Sequence, residues 1–334
     1  MPGLGRKTWS PGDTLTASDV NGYLMDQSVM VFAGTAARAS AIPTPSAGMV
    51  AYSTATGLNV YNGSAWVGLS TGYGVASGGS ATSISVGGTA YTLLTFTSDA
   101  SLVVSSAGLF DCLLVGGGGG GGQNGFSVNY TGGGGAGGVS NSTVYLAAGT
   151  YAVDIGAGGA KAIQGSTSRL DTPFVSLSAT GGGRGGGGDP ATSGVFQVSS
   201  NGGCSGGGAG EPGPPGLAAT GAQGFSGGNG VATRGQGAGG GGGGGAVGAV
   251  GSGTAGGAGG AGYDATNFVG TSTFYAGGGG GGGASGGAGG SGGGGGRTVA
   301  GTANTGGGGG GNNATGSDNA AAGGSGIVLV RFRA

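Results

Sequence analysis

Asp111, Asp154 and Asp171 fall in or beside strand-like stretches, Cys112 and Cys204 are the two thiols, and histidine is absent. Paired carboxylates could carry glycosidic acid–base chemistry, but nothing in this spacing brings two of them together. Without histidine the chain lacks the commonest general base and the commonest metal ligand. No CxxC pair suggests zinc or redox work. Cys112, inside "LFDCLLV", reads as a small hydrophobe, and a Cys112–Cys204 disulfide stays open. Serine and threonine abound, yet no neighbour is evident that would activate them.

Matches to GxGxxG recur only because glycine fills 101 of 334 positions, so they say nothing about dinucleotides. Lys161 in "GAGGAKA" lacks the Gly-Lys-Ser/Thr ending of a phosphate loop. Arg184 in "GGGRGG" resembles an RNA-binding RGG segment, but it stands once in a chain of net charge −1. Such a chain has no field to draw a polyanion. The reading is no enzyme, no catalytic residue, no metal, no cofactor and no nucleic-acid partner. No apolar stretch is long enough to span a membrane, and "MPGLGRKTWSPGD" lacks the core of a signal peptide. Synthesis in a cytoplasm is expected.

The elements that would position any site fall into three expected domains: 1–70, 71–115 and 116–334. In the first, "TLTASDVNGYLMDQSVMVFAGTAARASA" reads as a short N-terminal helix with a weak capping box from Thr16 and Asp19. Val20, Leu24 and Val31 form one apolar stripe; Met25, Val29 and Phe32 form a second. Pro43 and Pro45 end it. "MVAYSTATGLNVYNGSAWVGL" reads as three strands, with Asn62-Gly63 supplying the positive φ of a tight hairpin. So small a meander needs a partner surface. Residues 71–115 carry the strands "TAYTLLTFT", "ASLVV" and "GLFDCLLV". Two more, "STVYLAAGTYAVDIG" and "PFVSLSATGG", lie within the glycine-rich region, and "SGIVLVRFRA" closes the chain. The fold class is mainly β.

Gly116–Gly122, Gly239–Gly245 and Gly277–Gly283 are runs of seven glycines, and residues 132–138 are seven with one alanine. Such tracts default to flexible linkers, since ordering glycine costs roughly 0.5–1 kcal/mol more than ordering alanine. The competing reading is a bundle of packed polyglycine II helices. Each rises about 3.1 Å per residue with about three residues per turn, and its outward N–H and C=O groups pair with bare neighbours. Seven residues then span roughly 22 Å. Repeated run length, low charge and anchoring strands favour the ordered form. The Gly-X-Y triplets of "GEPGPPGLA" and "GAQGFSGGNGVA" suit the same bundle better than an independent triple helix.

If glycine helices form the body, recognition falls to the interruptions. "QNGFSVNY" offers Phe126, Asn129 and Tyr130; "DPATSGVFQVSSN" offers Phe196 and Gln197. "YDATNFVGTSTFY" offers Tyr263, Asp264, Asn267, Phe268, Phe274 and Tyr275. Aromatic plates beside amides suit sugar faces and hydroxyls. The same rings could instead clamp the bundle or fill a small core.

Trp9, "LTASDVN", "AARASAIPTPSAGMVAY" and "YNGSAW" resemble the N-terminal module of minor tail or fibre-like proteins of tailed phages, especially those of actinobacteria. "LLVGGGGGGG", "GTYAVDIGAGGA" and "GGSGIVLVRF" resemble the glycine-rich distal domains of phage tail proteins. The resemblance implies a virion structural protein, made in the host cytoplasm and assembled as a homotrimer. Its N-terminal module would dock onto other tail proteins, and loops between the runs would meet the host surface, with cell-wall glycan as a ligand. A purely architectural tail-tip or head decoration is the alternative. A collagen- or silk-like matrix protein would lack the docking module.

Overall fold

The computed structural model describes residues 10–14, 16–19, 29–54, 57–68, 72–124, 130–172, 176–188, 196–197, 199–210, 223–233, 235–312 and 319–334. They form two compact units, Met1–Tyr73 and Gly74–Ala334. Their regular secondary structure is mostly strand, with short helices of which the N-terminal Thr35–Ala41, of seven residues, is the longest.

The first unit runs α1 (Ala17–Asp19), β1 (Met30–Phe32), α2 (Thr35–Ala41), β2 (Val50–Ser53), β3 (Gly57–Tyr61) and β4 (Trp66–Gly68). The helix expected across residues 14–41 is therefore interrupted. Val31 and Phe32 belong to β1, which pairs in parallel with β2. The reason is local: Val29 and Val31 are β-branched, alternate with Met30 and Phe32, and Gly34 separates them from α2. Val20, Leu24 and Met25 of the expected stripes, and Trp9, lie outside the described residues.

Strands β2, β3 and β4 form the expected antiparallel meander. Its hairpin differs from the expected two-residue turn. Asn62 N–H donates to Ala65 O (3.0 Å), and the amides of Ser64 and Ala65 both donate to Asn62 Oδ1 (2.9 Å each). Only Gly63 of the pair takes a positive φ, 100°. The Asn62 side chain mimics a backbone turn, so the loop spans four residues between the paired Tyr61 and Trp66. Arg38 of α2 is buried with its guanidinium 4.5 Å from the Trp66 ring centroid. Val31, Tyr52 and Leu58 are exposed and in register across β1, β2 and β3, forming an apolar row.

In the second unit β5 (Val75–Ser77), β6 (Ser80–Val86), β7 (Thr89–Phe96), β8 (Ala100–Ser106) and β9 (Gly108–Val115) precede the first glycine run. After the run returns come β10 (Val139–Leu146), β11 (Gly149–Asp154), β12 (Ser168–Leu170) and β13 (Leu177–Ala179). Two short pairs follow: β14 (Gly187–Gly188) with β15 (Phe196–Gln197), and β16 (Tyr263–Asp264) with β17 (Phe274–Tyr275). Helix α3 (Thr266–Val269) lies between β16 and β17, and β18 (Ile327–Arg333) ends the chain. "STVYLAAGTYAVDIG" is thus two strands. They serve different sheets.

One sheet has the order β10-β9-β18-β7-β6 and the other β13-β12-β11-β8-β5. Residues 71–115, expected as a connector of their own, contribute strands to both. In the second sheet Leu102, Val104, Tyr151, Val153 and Leu170 are buried while alternate positions are exposed. That is the period of a sheet with one covered face. The central strands β9 and β18 of the first sheet are covered on both faces, which is why "LFDCLLV" and "IVLV" are continuous apolar runs. Phe110 and Phe332 meet edge to face on one side, centroids 5.7 Å apart. Leu113, Val115, Ile327 and Leu329 join Phe268, Val269 and Ala276 on the other. Ser168 Oγ of β12 ties the sheets by donating to Val115 O (2.7 Å). The closing strand sits in the middle of its sheet.

The glycine runs are ordered by backbone pairing with a period of three. Gly116, Gly119 and Gly122 donate to the carbonyls of Gly138, Gly135 and Gly132; Gly117 and Gly120 donate to Ser166 and Ile163; Gly118 and Gly121 donate to Gly324 and Ala321. In return Gly117 and Gly120 O accept from Gly182 and Gly185 N, Gly118 and Gly121 O from Gly159 and Ala162 N, and Gly119 O from Gly309 N. One run therefore has six neighbours. The run 277–283 repeats the rule: Gly277 and Gly280 reach Gly292 and Gly295, Gly278 and Gly281 reach Gly260 and Gly257, Gly279 and Gly282 reach Gly134 and Thr131. Phe225, Gly228 and Val231 donate to Gly243, Gly240 and Gly237, so the described part of the second triplet passage joins the same array. Residues 211–222, which hold most of the first passage, lie outside the described residues.

A net gain of about 0.5–1.5 kcal/mol per hydrogen bond matches or exceeds glycine's extra ordering cost of about 0.5–1 kcal/mol. Close approach is the condition. A Cβ on Gly119 would collide with Gly183 O, and one on Gly134 with Gly119 O. Ala136, the exception within its run, is buried in the apolar cluster under the first sheet, where a methyl has a place.

Candidate functional site

Asp111 of β9 faces Arg331 of β18 directly across the ladder, with Arg331 Nε donating to Asp111 Oδ2 at 3.0 Å. Thr143 Oγ1 donates to Asp111 Oδ1 (2.6 Å). Asp171 accepts from Ser176 Oγ (2.8 Å), and Asp154 stands beside Arg169 in the register of β11 and β12. Asp111 and Asp171 thus have local structural partners. Cys112 and Cys204 are free and buried, and burial pushes both thiols up to about 12 from 9.0. Neither should react with a disulfide reagent at pH 8 in the folded chain, and both should react at once in denaturant; a thiol titration checks this. Between pH 9.0 and about 12 the folded thiols hold protons that the unfolded ones release, so stability falls as pH rises through that window.

The loop from Tyr263 to Tyr275 lies on the first sheet. Phe268 is buried, packed with Leu113, Leu329 and Val269. Arg331 holds it from above: Nη1 accepts nothing but donates to the carbonyls of Asn267 (2.9 Å) and Phe268 (2.6 Å), and the guanidinium stands 4.5 Å from the Phe268 and Tyr91 ring centroids. Of the two roles offered for Phe268, a sugar plate or a core filler, it takes the second, with a cation from the last strand over its ring. Tyr263 and Tyr275 are half-buried against the same cluster, and burial raises the Tyr275 phenol. Asp264 caps the turn by accepting from Thr266 N (2.9 Å), and the Thr266 hydroxyl and amide hold it below the ordinary carboxylate range. Asn267 and Phe274 are exposed.

The structure separates the expected residues. Tyr130, half-buried, precedes the run 132–138 at the end where Gly132 meets Gly122 and Gly186. Phe196 and Gln197 form β15 beside Gly187 and Gly188, close to that same end. Tyr263, Phe274 and Tyr275 stand at the opposite end, where Gly244 donates to Ala276 O and the runs enter the sheet. Phe126 and Asn129 lie outside the described residues.

At the sheet end Tyr263 borders a groove of about 390 Å³ with Val139, Asn141, Gln223, Phe225 and Gly244. Asn141 Nδ2 donates to Tyr263 OH (2.9 Å). Gln223 is fixed: its Nε2 donates to Ser178 O and its Oε1 accepts from Thr180 N, both at 2.9 Å. Phe225 presents a ring at 44% exposure. Rigid elements therefore hold an aromatic plate, a phenol and two amides together. Sequence reasoning found Tyr263 and missed the rest. "GAQGFSGG" reads as glycine triplets, and Asn141 sits inside a strand 122 residues before its tyrosine partner.

The profile described as a glycine-rich domain matches residues 95–333, from the end of β7 through β18. The chain belongs to the glycine-rich domain family. The matched span takes in the runs, the strands that enclose them and every groove residue. No curated protein matches the chain. Among the described residues no helix of the glycine-rich domain or the first unit is long and apolar enough to cross a membrane. Among them, too, no group of three potential metal ligands occurs.

Proposed function

We propose that this is a non-enzymatic structural protein of a phage particle, a fibre-like minor tail protein whose glycine-rich domain contributes to host-surface recognition. The domain is a body of packed polyglycine II helices. The observation that carries this reading is the three-fold hydrogen-bond period of the runs: a rod with three residues per turn returns each third N–H to the same neighbour. Such a lattice is a stiff support for surface loops. The N-terminal unit docks onto other tail proteins in a homotrimer, through apolar surface such as the exposed Val31–Tyr52–Leu58 row. Neither nucleic acid nor membrane enters the assembly.

A pure decoration role is the second reading, favoured by the inward packing of Phe268 and Tyr275. Labelled full-length chain mixed with actinobacterial host cells separates the two. Saturable cell binding is expected. Absence of binding to every susceptible strain, with the chain located on the particle, would leave only the architectural role.

A further inference from the structure

We infer that the Phe225–Tyr263–Asn141 groove binds an uncharged sugar ring. The inference rests on the host-recognition reading and names its ligand class. Its volume, about 390 Å³, lies within the roughly 300–1,000 Å³ range of small-molecule sites. The Asn141–Tyr263 bond spends one amide hydrogen and one lone pair of the phenol. Asn141 Oδ1 and the Tyr263 hydroxyl proton stay available, an acceptor and a donor side by side. Adjacent sugar hydroxyls, each both donor and acceptor, meet that pair. Phe225 supplies an apolar plate for the C–H face of a pyranose, and Val139 a second wall.

Among the described residues no Asp, Glu, Lys or Arg lines the groove. A sulfated, phosphorylated or carboxylated saccharide would lose hydration there and gain no counter-charge. The Gln223 amide already pairs with Ser178 and Thr180, so the wall it forms does not rearrange. The site is preformed on β10, β16, the run 239–245 and the segment 223–225 paired with them, which spares the ligand the cost of ordering a loop.

The test is titration of the full chain with the methyl glycosides of glucose, galactose, mannose and N-acetylglucosamine, followed by saturation-transfer NMR and calorimetry. N-acetylneuraminic acid and glucose 6-phosphate serve as charged counterparts. At least one neutral glycoside should bind, and Phe225→Ala should weaken it by about tenfold or more. Tyr263→Phe, which keeps the packed ring, should weaken it by about threefold to tenfold. An unchanged melting temperature in both variants shows that the fold is kept. No neutral binder, equal affinity in both variants, or preference for the charged sugars would overturn the assignment. Cell binding distinguishes the two levels: if wild type and Phe225→Ala bind host cells equally, the groove inference fails and surface recognition stands. If glycosides bind but cells do not, recognition fails and the groove stands.

Discussion

Gly119→Ala should destabilise the glycine-rich unit by about 3–5 kcal/mol. The added methyl would overlap Gly183 O, so one rod must move away from its neighbour. The rod cannot move alone. Gly119 N donates to Gly135 O (2.8 Å) and Gly119 O accepts from Gly309 N (2.9 Å), and all of these groups are buried. Overpacking a dense interior costs about 1–3 kcal/mol, and each buried backbone group left without a partner adds about 1–3 kcal/mol. Gly296→Ala is the control, since its nearest atoms would lie at an ordinary 3.7 Å; a change within about 0.5 kcal/mol is expected there. Urea unfolding of the two variants checks the contrast. Equal, small effects at both positions would mean that glycine is present in the runs for flexibility rather than for close approach.

Arg331→Met should cost about 3 kcal/mol, more than any surface charge of this chain. Its side chain and that of Asp111 are 13% and 11% exposed. Removing the cation leaves Asp111 with Thr143 alone, and breaking a buried pair from one side costs about 3–5 kcal/mol. The lower end applies because some solvent reaches the pair. The carbonyls of Asn267 and Phe268 lose their donor, and Phe268 and Tyr91 lose a cation worth about 0.5–2 kcal/mol. Amides of α3 should exchange faster than in wild type. The Arg331→Met, Asp111→Asn double variant should recover part of the loss, with a coupling of about 1–3 kcal/mol. Strict additivity, read from thermal unfolding, would show that the pair does not fasten α3 to the sheet.

Much of the strand content was legible in the sequence because alternation and continuous apolar runs report directly on burial. "TAYTLLTF" and "IVLVRFR" became β7 and β18 where they were expected. Their adjacency was not legible, since nothing in a strand's own pattern names its partner; β18 lies between β9 and β7. The helix over residues 14–41 was overextended because Val31 and Phe32 fit an apolar helical stripe as well as a strand. Parallel pairing with β2 decided it. Run length announced ordered glycine, yet glycine has no side chain to encode which run pairs with which. Which of its two offered roles Phe268 takes was not legible, because its clamp, Arg331, is 63 residues away. The groove was hidden for the same reason, being assembled from Asn141, Phe225 and Tyr263, three stretches with different apparent purposes.

Amide hydrogen exchange of the full chain, resolved over residues 116–122, 132–138, 239–245 and 277–283, bears most directly on the interlocked runs. In these four runs every N–H except those of Gly243 and Gly283 donates to another segment, and that of Gly243 closes a local turn on Ala246 O, so protection should approach that of β9 and β18, with exchange over hours or longer. Exchange of those amides within seconds, while β9 and β18 remain protected, would contradict a body built from paired glycine backbones.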